Sequence, residues 1–206
     1  MPSKYRFVKS DIYYPNSDIP KNRLNIKDPQ KLHQLESELL EEAYKIFIDE
    51  LNTATKFDEA YFKALHKRTF ETLYDWAGKY RDFNMAKGES RFCDGKYVAS
   101  YSQKIFQELA QENYLKNYYN KPKEEFAKRL VYYECELIAL HPFYELNGRI
   151  TRLFFDLIAI YNGYEPIDYS KITPQEYIDA SIDCVMLADS SKMEQIILKG
   201  LKKADR

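Results

Sequence analysis

One twelve-residue stretch concentrates residue types that do chemistry. It reads His141-Pro142-Phe143-Tyr144-Glu145-Leu146-Asn147-Gly148-Arg149-Ile150-Thr151-Arg152. Pro142 disfavours helical geometry at His141, so this histidine is predicted to end a helix. Asn147-Gly148 is a natural turn and cap for a helix that begins there. The stretch is therefore predicted to be a polar loop between two apolar helices.

Two arginines in the predicted second helix indicate what the loop binds. Arg149 and Arg152 lie three residues apart and share one helix face. A helix start has exposed amide donors and about half a positive charge, so a cation there costs about 0.3–1 kcal/mol. An anion among these groups would reverse that cost, and amides with two guanidinium groups suit a di- or triphosphate. The alternative is an ion pair from Arg152 to Asp156, which leaves Arg149 unexplained.

His141 and Glu145 add complementary chemistry. A histidine is the usual general base at neutral pH, although a lone histidine at a helix end is often structural. A carboxylate beside a phosphate site suits Mg²⁺, which prefers one or two carboxylates plus phosphate oxygens. Zinc would need a third ligand, and His33 and His66 lie in segments without metal-ligand spacing. The sequence favours magnesium over zinc.

The stretch from His141 to Arg152 resembles the signature loop of the Fic (filamentation induced by cAMP) family, HPFx(D/E)GN(G/K)RxxR. It departs from that pattern at Leu146, where the family usually has glycine. Residues 73–81, LYDWAGKYR, are similar to the family's approach to its flap, and Lys87-Gly88 with Phe92 to the flap itself. The resemblance implies one all-α Fic-type domain over residues 1–206, with a small β-hairpin flap.

The resemblance also implies a reaction, the transfer of AMP from ATP to a Tyr, Ser or Thr hydroxyl of a target protein. His141 would accept the hydroxyl proton, and Glu145 would hold Mg²⁺ at the phosphates. The implied nucleotide-binding residues are Leu146, Asn147, Gly148, Arg149 and Arg152. The implied target-docking residues of the flap are Lys87, Gly88, Glu89, Ser90, Arg91 and Phe92.

Two positions of the loop bear on activity. The side chain of Leu146 would make the left-handed backbone conformation, which glycine adopts freely, less favourable by about 1 kcal/mol or more. Gly148 stands where Doc-like phosphotransferases have lysine, and glycine favours nucleotidyl transfer. A non-catalytic interaction module with the same fold is the rival from another class, but it gives no physical reason to keep the loop's charged residues.

Control of the activity is predicted to come from a separate protein. Many Fic proteins are inhibited by a helix with the pattern (S/T)xxxE(G/N), whose glutamate pairs with the second arginine of the loop, here Arg152. Residues 190–195, SSKMEQ, and 37–42, SELLEE, fit its Ser and Glu positions and fail at the last. Helix caps or polar faces explain both, so a small antitoxin-like partner is favoured over inhibition within the chain.

Composition narrows the classes of protein to which the chain could belong. The 206 residues are enough for one domain with a full core, and the net charge of −1 gives no reason to expect nucleic-acid binding. Three cysteines, Cys93, Cys135 and Cys184, without a CxxC pair, favour a reducing compartment over a disulfide scaffold. Without a signal peptide or a run of about 18 apolar residues, the chain is predicted to be soluble and cytoplasmic, with oligomerisation left open.

The elements that position the loop follow from periodicity and caps. Residues 1–30 contain four prolines and are predicted to form an extended arm without a chemical role. A hairpin is predicted within 80–97 around Lys87-Gly88-Glu89, with an open edge that could accept a peptide strand. His66 and Trp76 are predicted to be structural. Helices are expected at about 29–51, 57–73, 99–117, 124–140, 149–161 (with its apolar run at 153–161), 174–185 and 190–202.

Overall fold

The structure is a computed structural model that describes residues 6–7 and 12–205, with side chains from residue 12 onward. In these ranges the helices are α1 Pro29–Asp49, α2 Glu59–Phe70, α3 Val98–Gln111, α4 Lys123–Leu140, α5 Asn147–Tyr161, α6 Pro174–Leu187 and α7 Ser191–Gly200. The strands are β1 Arg6–Phe7, β2 Met85–Lys87 and β3 Ser90–Arg91. The predicted helical fold with a small β flap is confirmed. None of the described helices is long and apolar enough to cross a membrane.

Helix starts follow the capping residues of the sequence. The Asp28 side chain accepts hydrogen bonds from the first amides of α1, and Asp58 does the same for α2. α6 begins with a capping box between Thr173 and Glu176 around Pro174. Helix ends were predicted less well, because α3 stops at Gln111 and a short 3₁₀ turn at Asn113–Leu115 replaces its expected last turns.

The core surrounds α4 and α5, the two helices on either side of the loop. α4 packs against α3, α5, α6 and α7, while α5 also packs against α1 and α2. Nearly every residue of α5 after its first turn is buried, from Leu153 to Ala159. Each fully buried leucine or phenylalanine contributes about 1.5–3 kcal/mol to stability. The loop is therefore held between the two most enclosed helices of the protein.

The cysteines correct one inference from composition. Cys135 on α4 and Cys184 on α6 are joined as a disulfide, with their Cα atoms 5.4 Å apart, and Cys93 is free. The pair is 49 residues apart in sequence and becomes adjacent only when the two helices pack. The odd cysteine count is therefore no argument for a reducing compartment.

The arm lies against the protein over its described part, since residues 1–5 and 8–11 of the predicted arm are outside the described ranges. The Arg23 N–H donates to the Leu73 carbonyl at 2.8 Å, and its Nε donates to Asp75 at 2.7 Å. The Asn22 side chain bonds the main chain of Pro20 and Ile26. These contacts fix residues 20–26 beside the segment that follows α2.

The flap is a three-stranded antiparallel sheet in the order β1-β2-β3. β2 and β3 form the predicted hairpin, with Lys87 opposite Ser90 and a turn in which Gly88 has a φ of 59°. β1 pairs with the other side of β2, placing Arg6 opposite Ala86. The prediction of an open edge is wrong for β2, because two residues of the arm occupy it. A two-residue strand is too short to leave a periodic signal.

Candidate active site

His141 lies at the end of α4 and faces the flap. Its backbone is left-handed, with φ 46° and ψ 58°, and its N–H still donates to the Leu137 carbonyl at 3.0 Å. Pro142 ends the helix there, as predicted. The imidazole stacks on the Phe92 ring, with centroids 3.8 Å apart and planes 12° apart. Phe92, predicted to dock the target, therefore also orients the candidate base.

Arg81 ties the flap to this helix end. Its own N–H donates to the Pro142 carbonyl at 2.8 Å, and its side chain is buried. Burial lowers the pKa of Arg81 to about 10. Because this value is still well above 7, the guanidinium is charged at neutral pH. Its guanidinium donates to four main-chain carbonyls, those of Phe83 (2.6 Å), Cys93 (2.6 Å), Leu140 (3.0 Å) and His141 (2.7 Å). Sequence analysis placed Arg81 in a segment similar to the family but did not predict this role.

His66 holds the main chain of the loop at Glu145 through a hydrogen bond. Its side chain is fully buried. The Gly78 N–H donates to Nδ1 at 3.0 Å, so Nε2 holds the hydrogen that it donates to the Glu145 carbonyl at 3.1 Å. Burial lowers the pKa of His66 to about 4, so the ring is neutral at physiological pH. The geometry supports the structural role expected for it.

The carboxylate of Glu145 is buried and receives a hydrogen bond from the arm. The Tyr13 hydroxyl donates to Glu145 Oε1 at 2.5 Å. The described part of the chain has no cluster of three or more His, Cys, Asp or Glu side chains that could hold a metal. One carboxylate beside a phosphate site still fits Mg²⁺, because phosphate oxygens and waters supply its other ligands.

The start of α5 is closed by an exchange of hydrogen bonds. The Asn147 side chain accepts from the Phe143 N–H at 2.7 Å and donates to the Phe143 carbonyl at 2.8 Å. The Asn147 amide group is thus used within the loop. Leu146 has φ 66° and ψ 13°, the left-handed conformation for which the family uses glycine. A Cβ added to Gly148 would meet nothing within 4 Å, so this position opens into free space.

The two arginines have different partners. Arg149 Nη1 lies 2.9 Å from Glu36 Oε2, and the buried Glu36 also accepts from the Tyr74 hydroxyl at 2.6 Å. Arg152 donates from Nε to the Gly148 carbonyl at 3.3 Å. Its guanidinium carbon lies 5.8 Å and 5.3 Å from the ring centroids of Tyr169 and Tyr177. The pairing of Arg149 with Glu36 was not foreseen.

The predicted alternative for Arg152 is wrong. Asp156 instead accepts from the Tyr44 hydroxyl at 2.6 Å and from the Ile167 N–H at 2.9 Å. Asp156 is buried, and this burial raises the pKa of its carboxyl to about 6.

A cavity of about 720 Å³ brings the predicted residues together. Its walls contain His141, Glu145 and all five predicted nucleotide-binding residues, with α1 and α6 on the other side. Four of the predicted flap residues, Lys87, Gly88, Ser90 and Phe92, also line it, whereas Glu89 and Arg91 are exposed outside. Its size is typical of small-molecule sites.

The geometry agrees with what sequence comparison finds. The Fic/DOC family profile matches residues 56–159, about half of the chain and all of the loop. The chain belongs to the Fic/DOC family. It is 33% identical to the "Probable protein adenylyltransferase y4lH" of Sinorhizobium fredii, over 87% of this chain and 90% of that protein. It is 29% identical to the "Probable protein adenylyltransferase Fic" of Escherichia coli, over 99% of this chain and 98% of that protein.

Solved Fic structures have the same fold. The N-terminal Fic domain of a Bartonella quintana VirB-translocated Bep effector protein, determined with bound ADP, superposes with a TM-score of 0.80 at 26% identity. The match covers 94% of this chain and 95% of that chain. The expected Fic-type helical domain is thereby confirmed.

Removing the guanidinium of Arg81 should destabilise the protein. Arg81→Met keeps a long apolar stem and leaves buried carbonyls without donors, so we expect a loss of about 2–5 kcal/mol in the free energy of unfolding. Urea denaturation measures it. Arg91→Met, which removes an exposed arginine of the flap, should change stability by less than about 0.5 kcal/mol. Equal effects of the two substitutions would contradict the role of Arg81.

Backbone strain at Leu146 is measurable by comparing two truncations. Leu146→Ala and Leu146→Gly both remove the buried side chain, but only glycine relieves the left-handed conformation. That relief of about 1–2 kcal/mol exceeds the unfolded-state entropy of glycine, about 0.4–1 kcal/mol. We expect the glycine variant to be the more stable by about 0.5–1 kcal/mol in urea unfolding. An alanine variant that is equally or more stable would show an unstrained loop.

Proposed function

We propose that the chain is a Mg²⁺-dependent protein adenylyltransferase that transfers AMP from ATP to a Tyr, Ser or Thr hydroxyl of a target protein. The principal support is the convergence of His141, Glu145 and the arginine-bearing start of α5 on one cavity. Relatives named as protein adenylyltransferases and a structural neighbour with bound ADP support the same assignment.

The start of α5 binds the phosphates in this proposal. Its first amides have no partner within the helix and attract an anion, and the helix dipole adds to the attraction. Arg149 and Arg152 add guanidinium donors on the same face. The ion pair with Glu36 holds Arg149 at a fixed position, which reduces the entropy lost when the nucleotide binds.

His141 and Glu145 have separate tasks at the reacting atoms. His141 accepts the proton of the target hydroxyl, whose oxygen forms a bond to the α-phosphorus of ATP. The bond from that phosphorus to the bridging oxygen breaks, and pyrophosphate leaves with the electron pair. Glu145 would hold Mg²⁺, which when bound offsets the negative charge of the phosphates. Stacking on Phe92 keeps the imidazole in place during the transfer.

The target would dock on the cavity side of the flap, at Lys87, Gly88, Ser90 and Phe92. Because β1 already pairs with β2, the target segment does not add to that edge while the arm is in place. Contact with the flap's cavity side presents a hydroxyl directly to His141, which lies against Phe92.

A separate small inhibitory protein is the proposed means of control. Among the described residues, Arg152 donates to the Gly148 carbonyl, lies beside two tyrosine rings and forms no ion pair with a glutamate. Glu41 forms an exposed ion pair with Lys45 at 2.9 Å, and Glu194 lies on α7. The cavity extends between α1 and α6, where Ile178 and Ile182 are partly exposed and offer an apolar surface for a partner helix.

His141→Ala should slow transfer strongly and spare nucleotide binding, because only proton acceptance is lost. We expect the rate of label incorporation from α-³²P-ATP into protein to fall by about 10²–10⁴. Calorimetric affinity for MgATP should change less than threefold. Label from γ-³²P-ATP distinguishes phosphoryl transfer, which this proposal excludes.

The matched control is His33→Ala, which removes the histidine on the α1 rim of the same cavity. It should transfer AMP at close to the wild-type rate. Wild-type transfer by the His141 variant would remove His141 from its proposed role.

Neither candidate glutamate should restrain the enzyme. We expect the initial rate of AMP transfer at saturating MgATP to be within twofold of wild type in both Glu41→Gly and Glu194→Gly. Since glycine inside a helix costs about 1 kcal/mol, the rates are compared below the unfolding transition of each variant. A several-fold rise in either rate would place the inhibitor within the chain.

A further inference from the structure

The hydrogen bond between Tyr13 and Glu145 joins the arm to the proposed metal ligand. It spans 132 residues of sequence and measures 2.5 Å from the hydroxyl oxygen to Oε1. Hydrogen bonds from a hydroxyl to a carboxylate at 2.5–2.7 Å are among the strong ones. The arm was predicted to have no chemical role, and this contact places one of its side chains in the site.

The backbone around Tyr13 is held in place by its own loop. Tyr13 forms an antiparallel bridge with Pro20. The Tyr14 N–H donates to the Ile19 carbonyl at 3.0 Å, and the Lys21 N–H donates to the Ile12 carbonyl at 2.6 Å. Anchoring of the following residues by Asn22 and Arg23 fixes this loop on the protein. The hydroxyl is thus presented from a supported position.

The hydrogen bond from Tyr13 constrains the Glu145 carboxylate. A carboxylate has about four lone-pair positions, and the Tyr13 hydroxyl donates to one of them, on Oε1. The bond restricts rotation of the carboxylate and so helps to set the direction in which it would face a cation. Groups that hold a metal-binding carboxylate in this way typically change metal affinity or activity by about 10–100-fold when removed.

We propose that Tyr13 is a positioning residue for the Glu145 carboxylate, and that its hydroxyl strengthens Mg²⁺-dependent nucleotide binding. The inference rests on the proposed function of Glu145. It assigns to the arm a part in assembling the active site, in addition to its pairing with the flap.

Tyr13→Phe tests this by removing the hydroxyl and keeping the ring. Calorimetry with AMPPNP should show about tenfold or more weaker binding in the presence of Mg²⁺. Binding without Mg²⁺ should stay within twofold, because Tyr13 acts through the carboxylate. The Mg²⁺ concentration for half-maximal AMP transfer should rise by a similar factor. Tyr14→Phe, which removes a hydroxyl bonded to Asn25 at 3.0 Å, should match wild type in each measurement.

A double-mutant cycle with Glu145→Gln separates positioning from a general loss of structure. If Tyr13 acts through Glu145, the tenfold effect of Tyr13→Phe on Mg²⁺-dependent binding should disappear in the Glu145→Gln protein. An undiminished effect there would overturn the proposal. So would unchanged or tighter Mg²⁺-dependent binding in Tyr13→Phe, the tighter result meaning that the hydroxyl competes with the cation. A wild-type protein that fails to bind MgAMPPNP would instead refute the proposed function.

Discussion

The active site depends on one buried cation. Taking a guanidinium out of water costs several kcal/mol, so Arg81 is tolerable inside the protein only while its donors are satisfied. Four carbonyls from the end of α4 and the base of the flap accept hydrogen bonds from four of its five N–H groups. The helix dipole favours a cation at that end. Since any carbonyl that moves away leaves a buried N–H group of Arg81 without an acceptor, these bonds favour a fixed separation between the flap and the candidate base.

The loop attached to this cation is bracketed by two left-handed residues. His141 and Leu146 have φ angles of 46° and 66°, each of which costs of order 1 kcal/mol for a side chain other than glycine. Burial of Phe143 among the rings of Phe62, His66 and Tyr80 offsets this strain. The result is a sharp reversal that turns the first amides of α5 toward the cavity beside His141.

Local signals explain what the sequence could predict. The helices followed from periodicity and caps such as Asp28, and the loop followed from adjacent residues whose types match its chemistry. Glu36, Tyr13 and the Cys135–Cys184 pair escaped prediction for one physical reason. Each depends on a contact between segments that are distant in sequence. A single residue that makes such a contact adds no periodic pattern to the sequence around it. Arg81 was placed in the right segment, but its burial could be recognised only from the folded structure.

The environments of the two loop arginines bear on the proposed control by a partner protein. Arg149 is already paired with a buried carboxylate, so its position is set before a ligand arrives. Arg152 rests beside the rings of Tyr169 and Tyr177, where cation–π attraction contributes about 0.5–2 kcal/mol. The Tyr177 hydroxyl is held in turn by Glu134 at 2.8 Å. A bidentate phosphate or carboxylate offers Arg152 a stronger partner than either ring. Under the proposed control by a partner helix, Arg152 is therefore the arginine for which a terminal phosphate and the partner's glutamate would compete.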